Sequence, residues 1–364
     1  MKKELMAAAA ALALLVPAGA AHSGDAFMPE CYRPAAADTP MLTFEEREGP
    51  YRLALVNGFF GIPWRSQMIQ SLKAWSERPE NAADIAELKI VSVGNDVAAQ
   101  IAAVDNFVQA GFDAIIFIAV NPSSFDAVQR RAERAGTLLI SFDNVTDNPG
   151  IVGIQPSQIE LEGVKARAVL DQIPGGKGKV IEIRGVQGNA TDRDRHIGAR
   201  QVLDAAPDVE VIEVVGNWDQ GTAQKVVSDV IATHGQVQGI VVQHGAAGAV
   251  NALKASGHPM VPVGGDGENS FRLALLENGA PGVSVEGSPG MSAVAMQAAI
   301  AMLKGEAIPA SVNLPVIPVL GTDLKPGANV FPDVSPSFNT VTGYEECGIT
   351  FTPQELQSQT PDNS

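Results

Sequence analysis

The sequence predicts an α/β protein of two Rossmann-like lobes, each a parallel sheet flanked by helices. Three observations lead there. Short β-branched runs alternate with amphipathic stretches from residue 51 to about residue 304. That alternation implies right-handed crossovers between parallel strands, with helices on both faces of each sheet. There are too many such units for one small sheet, and 364 residues suit two domains of ordinary size. Finally, polar and aromatic residues gather directly after the strands, where ligands bind in sheets of this kind.

The opening is of a different character. Met1-Lys2-Lys3 precedes an apolar run over 5–16, and Ala18-Gly19-Ala20-Ala21 follows. A basic start, an apolar centre and small residues predict a secretory signal peptide over 1–21, cut near residues 20–23. The run is shorter than the roughly 20 apolar residues that a membrane span needs. The mature protein is therefore expected to be exported. Residues 22–50 are rich in Ala, Pro and charge, lack periodicity, and read as an irregular amino-terminal arm.

The first strand is 51–57. Pro63 suits a helix first turn, and that helix continues over 66–77. Strand 88–93 precedes helix 97–110, which carries Ile101, Val104, Phe107 and Val108 on one face and Gly111 at its end. Strand 113–119 leads to helix 123–135, closed by Gly136, and then to strand 137–142. The second half repeats the pattern. Its helices are 157–172, 192–205, 221–233, 246–255, 269–278 and 288–304. Its strands are 179–183, 209–215, 239–243, 260–264 and 282–285. Pro174-Gly175-Gly176 makes a tight turn. An extended piece over 314–320 carries Pro315 and Pro318 and belongs at an edge or a crossover.

Composition narrows the partners. Hydrophobic residues make up 45% and charged residues 18%, as in ordinary globular chains. The formal net charge of −16 repels phosphate backbones, so nucleic acid is not an expected partner. The two cysteines, Cys31 and Cys347, sit one in each terminal extension. In an oxidising compartment they predict a disulfide tying arm to tail, with two unpaired thiols as the alternative. Met28-Pro29-Glu30 before Cys31 is not a lipid-attachment context.

The strand ends carry the candidate site. Asn57-Gly58-Phe59-Phe60-Gly61-Ile62-Pro63-Trp64-Arg65 follows the first strand, Asn121-Pro122 the third, and Asp143-Asn144 the fourth. In the second half come Asp192-Arg193-Asp194-Arg195, then Asn217-Trp218-Asp219, His244-Gly245 and Asp266-Gly267. Carboxylates and amides take hydrogen bonds from vicinal hydroxyls, Arg donates a fork, and Trp or Phe covers the apolar face of a sugar ring.

The order and spacing of these residues resemble the periplasmic sugar-binding proteins of the ribose/galactose-binding type, which feed ABC transporters. The resemblance covers about residues 50–320. It rests on G-I-P-W, A-V-N-P, S-F-D-N, D-R-D-R-x-x-G-A-R, N-W-D-Q, Q-H-G and V-G-G-D-G, each weak alone and specific in series. It implies a type I periplasmic binding fold with a three-crossover hinge near 153–157, 286–288 and 315–318, closing on ligand. Lobe 1 would take 51–154 plus 288–314, lobe 2 would take 155–287 plus 315–330, and 331–364 would form a carboxy-terminal extension read as a surface strap pinned to the arm.

The resemblance further implies ring stacking by Trp64 and Trp218, and hydroxyl binding by Asp143 and Asp266. Asn121 would line the cleft, and Arg193 would bind ligand from the second lobe. Phe59, Phe60, Asn144 and His244 complete the expected ligand-binding set. The departures are Ile62 where Asn is common, Arg65 for Phe, Asn144 for Arg, His244-Gly245 for Asn-Asp, and Gly287 for Gln. Each residue also has a plain structural reading. Asp143 and Asp266 could cap helices, Arg193 could pair with a neighbouring carboxylate, and Asn121 could close a turn. Either Trp could be a core residue, as Trp75 is expected to be, and His244 could be a satisfied structural His. Arg195 reads as a structural ion-pair residue.

The functional expectation is an exported, monomeric binding protein that captures a sugar or polyol and delivers it to an inner-membrane ABC permease. No catalytic cofactor or metal is expected, and the sequence contains no His-Glu-x-x-His, G-x-S-x-G or Cys/His ligand cluster. The alternatives are a sensor presenting its ligand to a membrane receptor and, further off, a carbohydrate-active enzyme using Asp143 and Asp266 as acid and base.

Overall fold

A computed structural model describes residues 29–58 and 62–363. The expected signal peptide and the candidates Phe59 and Phe60 lie outside the described residues. The arm holds a 3-10 turn, Pro29–Cys31, and strand β1 (Met41–Leu42). Lobe 1 then runs through β2 (Tyr51–Asn57), α1 (Pro63–Ser76), α2 (Pro79–Ala82), β3 (Ile85–Ser92) and α3 (Val97–Gln109). It continues with β4 (Ala114–Phe117), α4 (Asp126–Ala135), β5 (Leu138–Phe142) and β6 (Val152–Gln155).

Lobe 2 takes α5 (Gln158–Asp171), β7 (Gly178–Arg184), α6 (Ala190–Leu203), β8 (Val209–Val215) and α7 (Gln220–His234). After them come β9 (Gly239–Val242), α8 (Ala246–Ala255), β10 (Val263–Gly265), α9 (Asn269–Asn278) and β11 (Gly282–Ser284). The chain returns to lobe 1 for α10 (Met291–Leu303), β12 (Ile308–Pro309) and β13 (Ser311–Asn313), and goes back to lobe 2 for β14 (Val319–Leu320). Helix α11 (Pro353–Gln357) lies in the tail.

Each lobe is built on a six-stranded sheet, with order β13-β6-β5-β4-β2-β3 in one and β14-β11-β10-β9-β7-β8 in the other. All pairs are parallel except β14 against β11. Strand β4 reads Ala-Ile-Ile-Phe and is buried throughout, as a central strand covered on both faces must be. On one face Phe117 stacks on Phe125 at 4.4 Å. Burying each such ring contributes about 1.5–3 kcal/mol. On the other face α10 is apolar almost all round, because it packs between the sheet, α1 and the tail. No helix of the described residues is long and apolar enough to cross a membrane.

Three local expectations are corrected. Residues 152–155 form β6, although 153–157 was read as crossover alone; the run is only Val-Gly-Ile-Gln, too short for a period-two signal. The helix expected over 123–135 splits into a 3-10 turn, Pro122–Ser124, and α4, because the Asn121 side chain accepts the Ser123 N–H and tightens the first turn. Within the extended piece 314–320 only Val319–Leu320 is a strand, β14 in lobe 2; β13 of lobe 1 ends at Asn313, and Pro315 and Pro318 lie in the crossing between the two.

The chain thus crosses between lobes after Gln155, over 285–290 and over 314–318. Cys31 and Cys347 are disulfide-bonded with Cα atoms 4.7 Å apart. The tail lies deeper than a surface strap: Phe338, Tyr344, Ile349, Phe351 and Leu356 are all buried in the core of lobe 1.

Candidate functional site

Between the lobes lies a cavity of about 600 Å³. Lobe 1 lines it with Val97, the 119–122 segment and Asn144, and lobe 2 with Arg184, the 188–190 turn, Asp192 and Arg193. Asn121, Asn144 and Arg193 therefore share one space, as their position after the strands requires. Asn144 Oδ1 accepts the Thr191 hydroxyl at 2.9 Å, a direct bond from lobe to lobe. Asn121 uses its carbonyl to close the 3-10 turn at 3.0 Å, so its amide nitrogen is the group left for the cavity. Arg193 stands at the rim, 67% exposed and paired with Asp194 at 2.7 Å. Asn189 caps α6 through Thr191 N–H, which sets the helix start two residues before the expected one.

A second group of candidates lies beside the crossings. Asp143 takes a left-handed backbone conformation, φ 61°, at the end of β5. Its carboxylate pairs with Arg65 at 2.7 Å, and the Arg65 guanidinium lies 4.8 Å from the Trp64 ring centre. The Trp64 indole N–H donates to the Gly287 carbonyl at 3.2 Å, so this aromatic reaches from α1 to the second crossing. Asp143 is not among the residues lining the 600 Å³ cavity; its neighbour Asn144 is.

In lobe 2 the Trp218 indole N–H donates to Gln243 Oε1 at 3.0 Å. A Cβ on Gly185 would stand 2.0 Å from that indole nitrogen, so only glycine admits the ring. The Gln243 amide also donates to Asp192, at 3.0 Å to Oδ1 and 3.1 Å to the main-chain carbonyl. Arg195 is buried; it donates to Gln158 Oε1 and to the Gln243 carbonyl, both at 2.8 Å.

His244 sits among three carboxylates: Asp266 at 3.6 Å, Glu268 at 3.5 Å and Glu286 at 3.7 Å. Burial opposes its charged form, but those carboxylates outweigh it and hold the imidazole well above its ordinary 6.5. Burial likewise opposes ionisation of Glu286, yet His244, Arg195 and the Gly267 N–H bring it down to about 2. Burial raises Glu268, with Asp266 and Glu286 adding to the rise against the pull of His244. Arg272, lowered to about 10 by burial, remains a cation beside Glu286 and Asp266. Asp266 has both oxygens engaged: Oδ2 accepts Gly245 and Ala246 N–H at 2.6 and 3.1 Å, and Oδ1 accepts Glu268 N–H at 3.0 Å.

His244, Asp266 and Glu286 are close enough to surround a cation. The donor set does not fit one. Asp266 Oδ2 already has two N–H donors, and Arg195 and Arg272 supply the counter-charge. In the second such group, Glu182 is bonded to His196 at 2.6 Å and Glu213 to Arg184 at 3.0 Å.

The two groups meet through the tail. Burial raises the Tyr344 phenol, and Asp143 from lobe 1 and Glu286 from the second crossing both add to the rise. Sequence reasoning missed Gln243, Glu268, Glu286 and Tyr344, and read Arg195 as a structural ion-pair residue, where the structure gives it hydrogen bonds to Gln158 and Gln243. For Arg195 a signal existed: Asp192, Arg195 and Ala199 are buried at helical spacing while Arg193 points out. Tyr344 carried no local signal at all.

Residues 53–307 match the family model described as "Periplasmic binding protein domain". A xylitol-binding protein of Mycolicibacterium smegmatis is 29% identical over 226 residues, 60% of this chain and 64% of that protein; the match thus spans less than two thirds of that relative. A putative rhizopine-binding protein of Rhizobium meliloti is 27% identical over 247 residues, 64% of this chain and 79% of that protein. Among solved structures, an ABC transporter solute binding protein from Thermobispora bispora superposes with TM-score 0.70 at 24% identity, covering 85% of this chain and 94% of that one; it shares the fold.

Proposed function

The chain belongs to the periplasmic binding protein family, and on that premise we propose that it captures a sugar or polyol between its lobes and delivers it to an ABC permease after export to the periplasm. The observation that carries this reading is the interlobe cavity of about 600 Å³, lined by amides from both lobes and guanidinia from lobe 2. Its size lies within the range of roughly 300–1,000 Å³ typical of small-molecule sites. Asn121 and Asn144 offer amide groups from lobe 1, and Arg184, Asn189 and Arg193 offer polar groups from lobe 2, while Asp192 behind them holds Arg184. A neutral ligand rich in hydroxyls can donate and accept at each of these.

A ligand held by both lobes favours the closed state by its extra contacts there, and that population shift is what a permease would sense. The Asn144–Thr191 bond already joins the lobes at this edge. The test is a thermal-shift screen of the exported protein against pentoses, hexoses, deoxysugars and polyols, followed by calorimetry. One class should raise the unfolding midpoint, and Asn144→Ala should weaken that response. Substrate turnover without any shift would overturn the reading in favour of an enzyme.

A further inference from the structure

We infer that residues 331–363 form a fourth connection between the lobes, clasped at Asn339, that limits how far the cleft opens. It lies outside the three crossings of the family fold and does not depend on which ligand is bound. The tail first fastens to lobe 2. Asn269 on α9 accepts Phe331 N–H at 2.9 Å and donates its side-chain amide to the Phe331 carbonyl at 2.7 Å. Its backbone N–H donates to the Phe338 carbonyl at 2.8 Å. Thr340 holds the Gly267 carbonyl with both its N–H and its hydroxyl, at 2.8 and 2.6 Å.

The tail then fastens to lobe 1. Beyond residue 343, Tyr344, Ile349, Phe351 and Leu356 are buried against α1 and α10. The Cys31–Cys347 bond adds a covalent anchor to the arm, and the Cys347 carbonyl accepts the Gln297 amide from α10 at 3.3 Å. The two sets of anchors interleave, because Phe338 and Asn339 already reach lobe 1 within the segment held by lobe 2.

Asn339 is the clasp and a positioning residue. It is 2% exposed. Its backbone N–H and carbonyl are both taken by the Gln67 side chain of α1, each at 2.8 Å. Its own amide donates to Glu286 Oε2 at 2.7 Å, on the second crossing. Ser288, on the same crossing, adds bonds to the Val341 carbonyl at 2.7 Å and to the Tyr344 hydroxyl at 3.1 Å. One buried residue thus ties a helix of lobe 1 to the segment on which the lobes pivot. Opening must either break these bonds or carry the tail with it, and the tail is held on both sides.

The experiment reads the interlobe opening without ligand. Small-angle scattering of the ligand-free protein is compared with that of Gln67→Ala/Asn339→Ala, with far-UV circular dichroism as a control for folding. The variant is expected to show a larger radius of gyration and a pair-distance distribution extended to longer distances. Superposable scattering curves would overturn the inference. Hydrogen exchange on the unaltered chain provides a second measurement should the variant not fold. The amides of Asn339, Thr340 and Val341 should be protected to the level of the hinge segments, and free-chain exchange rates there would also overturn it. Neither readout uses a sugar, so failure of the ligand screen leaves this test intact.

Discussion

At His244 burial and charge pull in opposite directions, and charge wins because three carboxylates face one imidazole. A histidine whose folded pKa is raised contributes its full stabilisation below its ordinary value, and loses it as pH rises through the raised one. Unfolding free energy is therefore expected to fall from neutral into alkaline pH. His244→Asn should flatten that slope and destabilise by about 3–5 kcal/mol at neutral pH, since it takes the central cation from three carboxylates that Arg195 and Arg272 balance only in part. Urea titrations across that range check this; an unchanged slope in the variant would disprove it. The two arginines of α6 make a second contrast. Arg195→Ala should destabilise the fold and weaken ligand binding only through that loss, because the buried guanidinium holds Gln158, Gln243 and, by its charge, Glu286. Arg193→Ala should change folding stability by only about 0–1 kcal/mol, as expected for an exposed pair. In D-R-D-R helix phase sets the two arginines apart: Arg193 lines the interlobe cavity, whereas Arg195 is buried behind it. Asp266 was legible as a buried carboxylate after a strand, but its engagement by two N–H donors follows from where α8 starts, which no residue type announces.

Helix α6 carries both arginines, Arg193 to the cavity and Arg195 into the lobe behind it, and its depth is set by glycine. A Cβ on Gly198 would lie 2.1 Å from the Ile159 carbonyl oxygen of α5, a backbone atom that cannot swing aside. Gly198→Ala should therefore push α6 off α5, destabilise by about 1–3 kcal/mol, and reduce ligand affinity together with stability. An equilibrium unfolding curve matching the parent would show that the helices separate freely. At this scale most of the fold was readable. Strands 51–57 and 209–215 and helices 246–255 and 269–278 agree with the sequence reading to the residue, because β-branched runs mark the strands and glycines bracket the helices, Gly245 before the first and Gly279 after the second. What escaped were pieces too short to show a period, such as β6 and β13, whose existence depends on a neighbouring strand rather than on their own composition.

On the scale of the whole molecule, two lobes that exchange chain three times are enclosed in a larger ring. The Cys31–Cys347 bond joins positions 316 residues apart, so nearly all of the described chain lies inside it. Two cysteines in two extensions made this bond legible, while the course of the tail between them depended on contacts with α1, α9 and α10 that no stretch of sequence encodes alone. Cross-linking ends so distant in sequence reduces the entropy of the unfolded chain, by on the order of 5 kcal/mol in the chain-entropy account. Cys31→Ser/Cys347→Ser is expected to lose stability of that order, measured by denaturant unfolding. The loss should appear as a lower midpoint, and the larger unfolded state should raise the m-value. The burial of Tyr344, Ile349 and Leu356 should still hold the tail in place at low denaturant, so the variant remains folded while its margin narrows. A variant with the parent's midpoint would mean that burial alone fastens arm to tail, and that the covalent ring adds nothing to the stability of the native state.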